Sequence, residues 1–197
     1  DGIRDLVRSR GLGDVYKRQW GHRVIVDNVA GTFDAAKYLI SKGRKRIGFS
    51  VGHIKLIESQ MDRLIGYKNA FKDSGKKYNK DLFYQIGFRS DPREPAHILD
   101  YMIKRKTDAI LCAAGDELAS GIVNEAAKRG IKVPDDIAVI GFDDLDFAKH
   151  TGLTTVKQPI VDMGKAAFNL ALEAIDDKNI AQKTLKFKPE LIIRKTA

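Results

Sequence analysis

Residues 133–159 read VPDDIAVIGFDDLDFAKHTGLTTVKQP, and the fold turns on this stretch. Ile137 to Gly141 is an apolar run that predicts a buried strand, ending in Phe142, Asp143 and Asp144. A loop then leads to the β-branched segment Thr154 to Val156. In an open parallel sheet, ligands sit outside the carboxyl ends of the strands, so a carboxylate pair placed there faces a cleft rather than a core. Asp143, directly after the apolar run, is expected to contact a ligand. For Asp144 the alternative that it caps the following turn or helix stands level.

Working outward, the chain alternates strands with helices. Arg23 to Val26 predicts a short strand, and Asp27 and Asn28 precede a helix from about Thr32 to Lys42. Its apolar positions Ala35, Ala36, Leu39 and Ile40 recur at helical spacing, and Gly43 ends it. Arg46 to Val51 predicts the next strand, and residues 61–75 a helix with Leu64, Tyr67, Ala70 and Phe71 on one face. Arg63 falls in the first turn of that helix, beside the mouth of the preceding strand. A guanidinium there presents paired donors to vicinal hydroxyls or a carboxylate; a salt bridge to Asp62 or another surface acid is the plainer alternative.

Leu82 to Ile86 is expected as a strand, followed by Phe88 and Arg89. The ring of Phe88 suits the C–H face of a sugar or a flat base, or equally plugs the strand end. A helix from about Pro92 to Lys106 turns Ile98, Leu99, Met102 and Ile103 inward, and Ala109 to Ala113 is the next strand. Asp116 is expected to cap the helix that begins at Glu117, with ligand contact as its other role. That helix carries Leu118, Ile122, Val123 and Ala126 on one side and ends at Gly130.

Crossovers this short imply a parallel sheet with right-handed connections. The expectation is an α/β fold with a doubly wound parallel sheet and helices on both faces, gathering Arg63, Phe88, Asp116 and Asp143 at one edge. Further on, a helix over Ile160 to Asp176 is expected to turn Met163, Ala166, Ala167, Leu170 and Ile175 inward, and Pro189 to Arg194 offers a last strand.

Several motifs in this order resemble the effector-binding core of the lactose-repressor (LacI/GalR) family. They are VDN-x-x-G at 26–31, GRKRIG at 43–48, VPDDIAVIGFDD at 133–144, LTTVKQP at 153–159 and MGKAA at 163–167. The resemblance runs from about His22 to Lys195. It implies a periplasmic-binding-protein-like fold with one nearly complete lobe and a remnant of the other. Residues 22–156 and 187–197 would form the C-terminal lobe, and 157–186 the remnant of the N-terminal lobe. Residues 1–21 match nothing in the family and are expected to be a non-homologous leader, adaptor-derived or else a divergent loop, and the chain is expected to be N-terminally truncated.

The resemblance also implies roles. The Arg of the family's R-x-x-G-[FYW] pattern, here Arg63 with Gly66 and Tyr67, contacts the effector. Family members often place a stacking aromatic where this chain has Arg89, so either Phe88 takes over the stacking or the pocket is more polar. Gly115 stands where the family commonly has an Asn that hydrogen-bonds the effector; purine-responsive members tolerate glycine there. The implied function is effector sensing for a cytoplasmic transcriptional repressor, with a small molecule (a sugar or related polar metabolite) bound between two lobes of a homodimer. DNA would be met only through an N-terminal module missing from the chain. The alternative is an exported sugar receptor of a transport system, which shares the architecture. Helix 160–177 is expected to expose an apolar face meant for the other lobe.

Composition narrows the remaining classes. The chain has 197 residues, 43% of them hydrophobic, enough for a packed core. No apolar run approaches the ~20 residues that span a bilayer, and no membrane partner is expected. The formal net charge is +9, but the basic residues are scattered without interleaved aromatics, as solvated helix ends are. The single cysteine, Cys112, lies in an apolar strand and is expected to be a buried, inert thiol. His22, His53, His97 and His150 lack metal-ligand spacing, no phosphate loop or catalytic triad is legible, and neither enzyme activity nor a cofactor is expected.

Overall fold

The computed structural model describes residues 21–87, 91–176 and 180–197. Phe88 and Arg89, and the leader expected over 1–21 except for Gly21, lie outside the described residues. The chain divides into two compact units, one of Val26–Pro159 with Lys188–Ala197, the other of residues up to Ile25 with Ile160–Phe187.

The larger unit is built on one six-stranded sheet. Its elements in chain order are α1 (Asn28–Ser41), β2 (Ile47–Val51), α2 (Glu58–Asp73), β3 (Phe83–Gln85), α3 (Glu94–Lys104), β4 (Ala109–Cys112), α4 (Asp116–Lys128), β5 (Ala138–Asp143), α5 (Asp146–Thr151), β6 (Thr154–Lys157) and β8 (Glu190–Ile192). The strands lie in the order β3-β2-β4-β5-β6-β8. The first five run parallel, and β8 closes the edge antiparallel to β6, with Lys157 opposite Glu190 and Thr155 opposite Ile192. The winding reverses at β2: the chain passes to β3 on one side of it and then to β4 on the other. This is the doubly wound arrangement expected, and the reversal opens a crevice at the carboxyl ends of β2 and β4.

Alternation along the strands assigns the two cores. Ala109, Leu111 and Ala113 point one way with Ile47, Phe49, Ile140 and Phe142, against Ala35 and Leu39 of α1 and Leu64, Tyr67 and Phe71 of α2. Ile110, Cys112 and Val139 point the other way, against Ile98, Leu99 and Met102 of α3 and Ala119, Ile122 and Ala126 of α4. Each of these side chains leaves water almost completely, contributing about 1.5–3 kcal/mol when large and apolar. Tyr67 stacks on Phe49 with ring centroids 4.6 Å apart, and its hydroxyl donates to Ile47 O at 2.7 Å. Helices α1 and α2 approach closely because Gly66 has no Cβ, which would stand 2.3 Å from Val29 O.

Some local expectations change. The segment after Asp144 is not all loop but contains α5, ended by Gly152 in the left-handed conformation. Ile103 is 42% exposed, on the outer side of α3.

The smaller unit contains α6 (Ile160–Asp176) and a two-stranded sheet of β1 (Arg23–Val26) and β7 (Thr184–Phe187), in which Arg23 N donates to Lys183 O at 2.8 Å. Along α6 only Leu170 is buried; Met163 and Ala166 are half-buried, whereas Ala167 and Ile175, both expected inward, are exposed. Ile160, Val161, Phe168, Leu172 and Ile175 make the exposed apolar face expected of this helix.

Candidate functional site

The carboxyl edge of the main sheet brings together Arg63, Asp143 and Asp116, three of the residues singled out in the sequence. Because α2 begins at Glu58, Arg63 lies in its second turn, further in than expected. The residue is 6% exposed. Its Nε donates to Asn28 Oδ1 at 2.9 Å and its Nη1 to Ala113 O at 2.6 Å, at the carboxyl end of β4. Nη2 lies 3.9 Å from Asp143 Oδ1. The guanidinium carbon stands 3.6 Å from the centroid of the buried Phe142 ring, a cation–π contact that compensates part of the lost hydration. Burial still dominates, pulling the guanidinium down to about 10, with Asp143 opposing the shift.

Asp143 ends β5 with φ 116, and Asp144 follows with φ 57. Both lie in the left-handed region that L-residues seldom enter, Asp and Asn more readily than most. The Asp143 carboxylate accepts a hydrogen bond from Gln158 Nε2 and keeps its side chain 27% exposed. Burial raises its pKa, against the lowering effects of Arg63 and Gln158. Asp143 and Arg63 thus lose more to desolvation than they return to each other across 3.9 Å.

Asp144 resolves differently. Its Oδ1 accepts from Arg194 Nη2 at 2.7 Å, and Arg194 also donates to Leu153 O at 2.7 Å. Asp144 therefore pins its turn to the segment after β8, and it does not cap α5, whose N-cap is Leu145.

Asp116 corrects the sequence reading in another way. It is the first residue of α4, whose N-cap is Gly115, and its carboxylate does not cap that helix. It is fully buried: Oδ2 accepts from Leu145 N at 2.9 Å and Oδ1 from Thr155 Oγ1 at 2.6 Å. Burial raises its pKa to about 6. With both oxygens engaged and no exposed surface, Asp116 offers nothing to a ligand directly. Gly115 has φ 131, and a Cβ there would stand 3.3 Å from Asp143 Oδ2, so the space above Asp143 is open where a side chain would otherwise lie.

Asn28, Gln158, Thr155 and Arg194 complete the site, and sequence reasoning passed over their roles. Asn28 belongs to VDN and Gln158 to VKQP, so each sat inside a motif already noted. Among the described residues no group of three or more His, Cys, Asp or Glu could hold a metal ion, and no helix is long and apolar enough to cross a membrane.

Known proteins are similar to this chain in sequence and in fold. The chain is similar to the HTH-type transcriptional repressor PurR of Vibrio parahaemolyticus serotype O3:K6, 34% identical over 177 residues that cover 88% of this chain and 52% of that protein. It is 33% identical over 175 residues to the HTH-type transcriptional regulator DegA of Bacillus subtilis, covering 87% of this chain and 50% of DegA. Among solved structures, the complex of the transcriptional regulator CelR with cellobiose superposes with a TM-score of 0.80 at 27% identity, over 90% of this chain and 54% of CelR. The Escherichia coli transcriptional repressor ascG gives 0.77 at 25% identity, over 94% of this chain and 73% of its own. The periplasmic binding protein-like domain family matches residues 36–197.

The chain belongs to that family, as a LacI-type effector-binding domain.

The match begins within α1 of the LacI-type domain and includes Arg63, Asp116, Asp143 and Gln158. The chain spans about half the length of the curated relatives it matches. Those relatives are transcriptional regulators, and neither bears the name of an enzyme.

Proposed function

We propose that the chain senses a small polar effector, a sugar or closely related metabolite, at the carboxyl edge of its main sheet. In the longer protein it controls DNA binding by a separate module, as part of a cytoplasmic, homodimeric repressor. One observation carries this reading: a nearly buried guanidinium, Arg63, reaches Asn28, Ala113 O and Asp143 at the crevice where the sheet reverses its winding. Arg63 Nη2 and the partly exposed Asp143 carboxylate set a donor beside an acceptor, the pairing that hydroxyl groups take. The similarity to a regulator solved with cellobiose supports the sugar class.

Control of DNA follows if the effector binds two domain arrangements with different affinity, since a ligand shifts an equilibrium only by that difference. Calorimetric titration of the full-length regulator with cellobiose and a panel of monosaccharides tests the reading. A saturable heat from at least one sugar, abolished in Arg63→Ala and accompanied by a change in operator affinity, is expected. Binding that survives Arg63→Ala unchanged would place the effector elsewhere.

A further inference from the structure

The β5–α5 turn holds two consecutive residues, Asp143 and Asp144, in left-handed backbone conformations. Such strain persists only where the surroundings over-determine it. The surroundings here are specific. From below, the buried Asp116 carboxylate grips Leu145 N and ties it to Thr155 of β6. From the side, Arg194 grips Asp144. At the top, Gln158 grips Asp143. The sequence of β5 is itself shaped by the first of these. Gly141 leaves room for Asp116, because a Cβ at that position would stand 2.2 Å from Asp116 Oδ1.

A fully buried carboxylate is costly, and its hydrogen bonds from Thr155 and Leu145 N offset only part of that cost. Asp143 and Asp144 add like charge from the turn, while Arg63 and Arg194 are engaged with those two aspartates. Burial accordingly pushes its pKa up to about 6. A neutral packed side chain would fill the same space at lower cost, so the carboxylate is retained for what its two acceptors hold in place.

From this geometry we infer that Asp116 is a positioning residue: by tethering Leu145 N to Thr155 it sets the left-handed turn that aims Asp143 at Arg63 and Gln158. The inference rests on the proposal that Asp143 and Arg63 contact the effector, but its test needs no ligand. The readouts are NMR signals of the unliganded chain: the Leu145 amide, the Gln158 side-chain amide protons and Arg63 Nε–H.

In Asp116→Ala, exchange of the Leu145 amide accelerates by roughly tenfold or more, the scale of one lost charge-assisted hydrogen bond. The Gln158 and Arg63 side-chain signals lose the shifts their bonding gives. Asp116→Asn keeps an acceptor for Leu145, lets the Thr155 hydroxyl turn to accept, and preserves those signals. Gly141→Ala displaces Asp116 without altering its chemistry, reproduces the alanine phenotype, and keeps the inference testable where Asp116→Ala does not fold. Ile98→Val, a truncation in the same core layer, lowers stability while leaving all three signals in place. Gln158 and Arg63 signals unchanged in both Asp116→Ala and Gly141→Ala would overturn the positioning role. Because no effector is present in the experiment, such a failure leaves the proposed binding site standing, and absence of sugar binding leaves the positioning result standing.

Discussion

The two ends of the main sheet treat charge in opposite ways. At the amino end, Asp108 accepts from Lys45 N at 2.7 Å and Arg46 N at 3.0 Å, stitching β4 to the start of β2. Arg44 donates to the carbonyls of Asp108 and Pro134, and Arg46 to that of Arg105. These groups are hydrated or half-hydrated and satisfy backbone atoms that strand ends leave open. At the carboxyl end, Arg63 and Asp116 are buried, Asp143 is partly so, and burial is the largest influence on the protonation of all three. The comparison teaches where to look for function: charge at one end lowers the energy of the fold, whereas charge at the other raises it and calls for another reason to be kept.

The sharpest way to break that comparison is Arg63→Ala. It leaves Asp143 without its cation and Ala113 O and Asn28 Oδ1 without a donor, and about 3 kcal/mol of unfolding free energy should be lost in urea titrations. A loss below about 0.5 kcal/mol would mean that Arg63 is not engaged as described. Next in size is a pH effect. Because burial raises Asp116 above its ordinary 3.8 to about 6, the folded chain holds a proton there that the unfolded chain releases. The stability this group confers is therefore highest at acid pH and falls as pH rises from 3.8 through 6.

Asp143 is shifted in the same direction and adds to the slope. Asp116→Asn should flatten it, narrowing the difference in stability between pH 4 and pH 7 by about 2 kcal/mol; an unchanged slope would show that Asp116 does not titrate in this range. At the amino end, Asp108→Ala removes two hydrogen bonds to exposed backbone amides and should cost about 1 kcal/mol in the same urea titrations. Smallest is Lys128→Ala, which breaks an exposed pair with Glu125 one helical turn away and should change stability by less than about 0.5 kcal/mol.

Much of this was legible in the sequence because local rules and tertiary outcome agree. β2, β4 and β5 are short apolar runs at strand length, and α1 to α4 carry apolar faces at helical spacing, so the winding and the edge bearing Arg63 and Asp143 followed. Where the two disagree, the tertiary contact wins. Asp116 sits where an acid normally caps a helix, but Leu145 N and Thr155 Oγ1 claim its oxygens from 29 and 39 residues away. Arg194, the partner of Asp144, is 50 residues distant, and no local pattern marks the pair. Asn28 and Gln158 were visible as motif letters without a role, because only the fold brings them to Arg63 and Asp143. DFAKHT in α5 is too short to show a period, and the alternation in TLKF of β7 was masked by its flanking lysines.

The pairing of β8 beside β6 carries a consequence for engineering. The main sheet releases the chain at Lys157 and takes it back at Glu190, and these two residues are direct antiparallel partners. Topologically the excursion between them is an insertion into a hairpin. A tight turn of two to five residues would close the same strands, and each halving of loop length lowers the closure entropy by roughly 0.6 kcal/mol. Excising residues 159–189 in this way, so that Gln158 stays to hold Asp143, together with the residues ahead of Val26, would also delete the exposed apolar face of α6. The result is a minimal scaffold in which the Arg63–Asp143 crevice can be grafted, mutated and crystallised by itself.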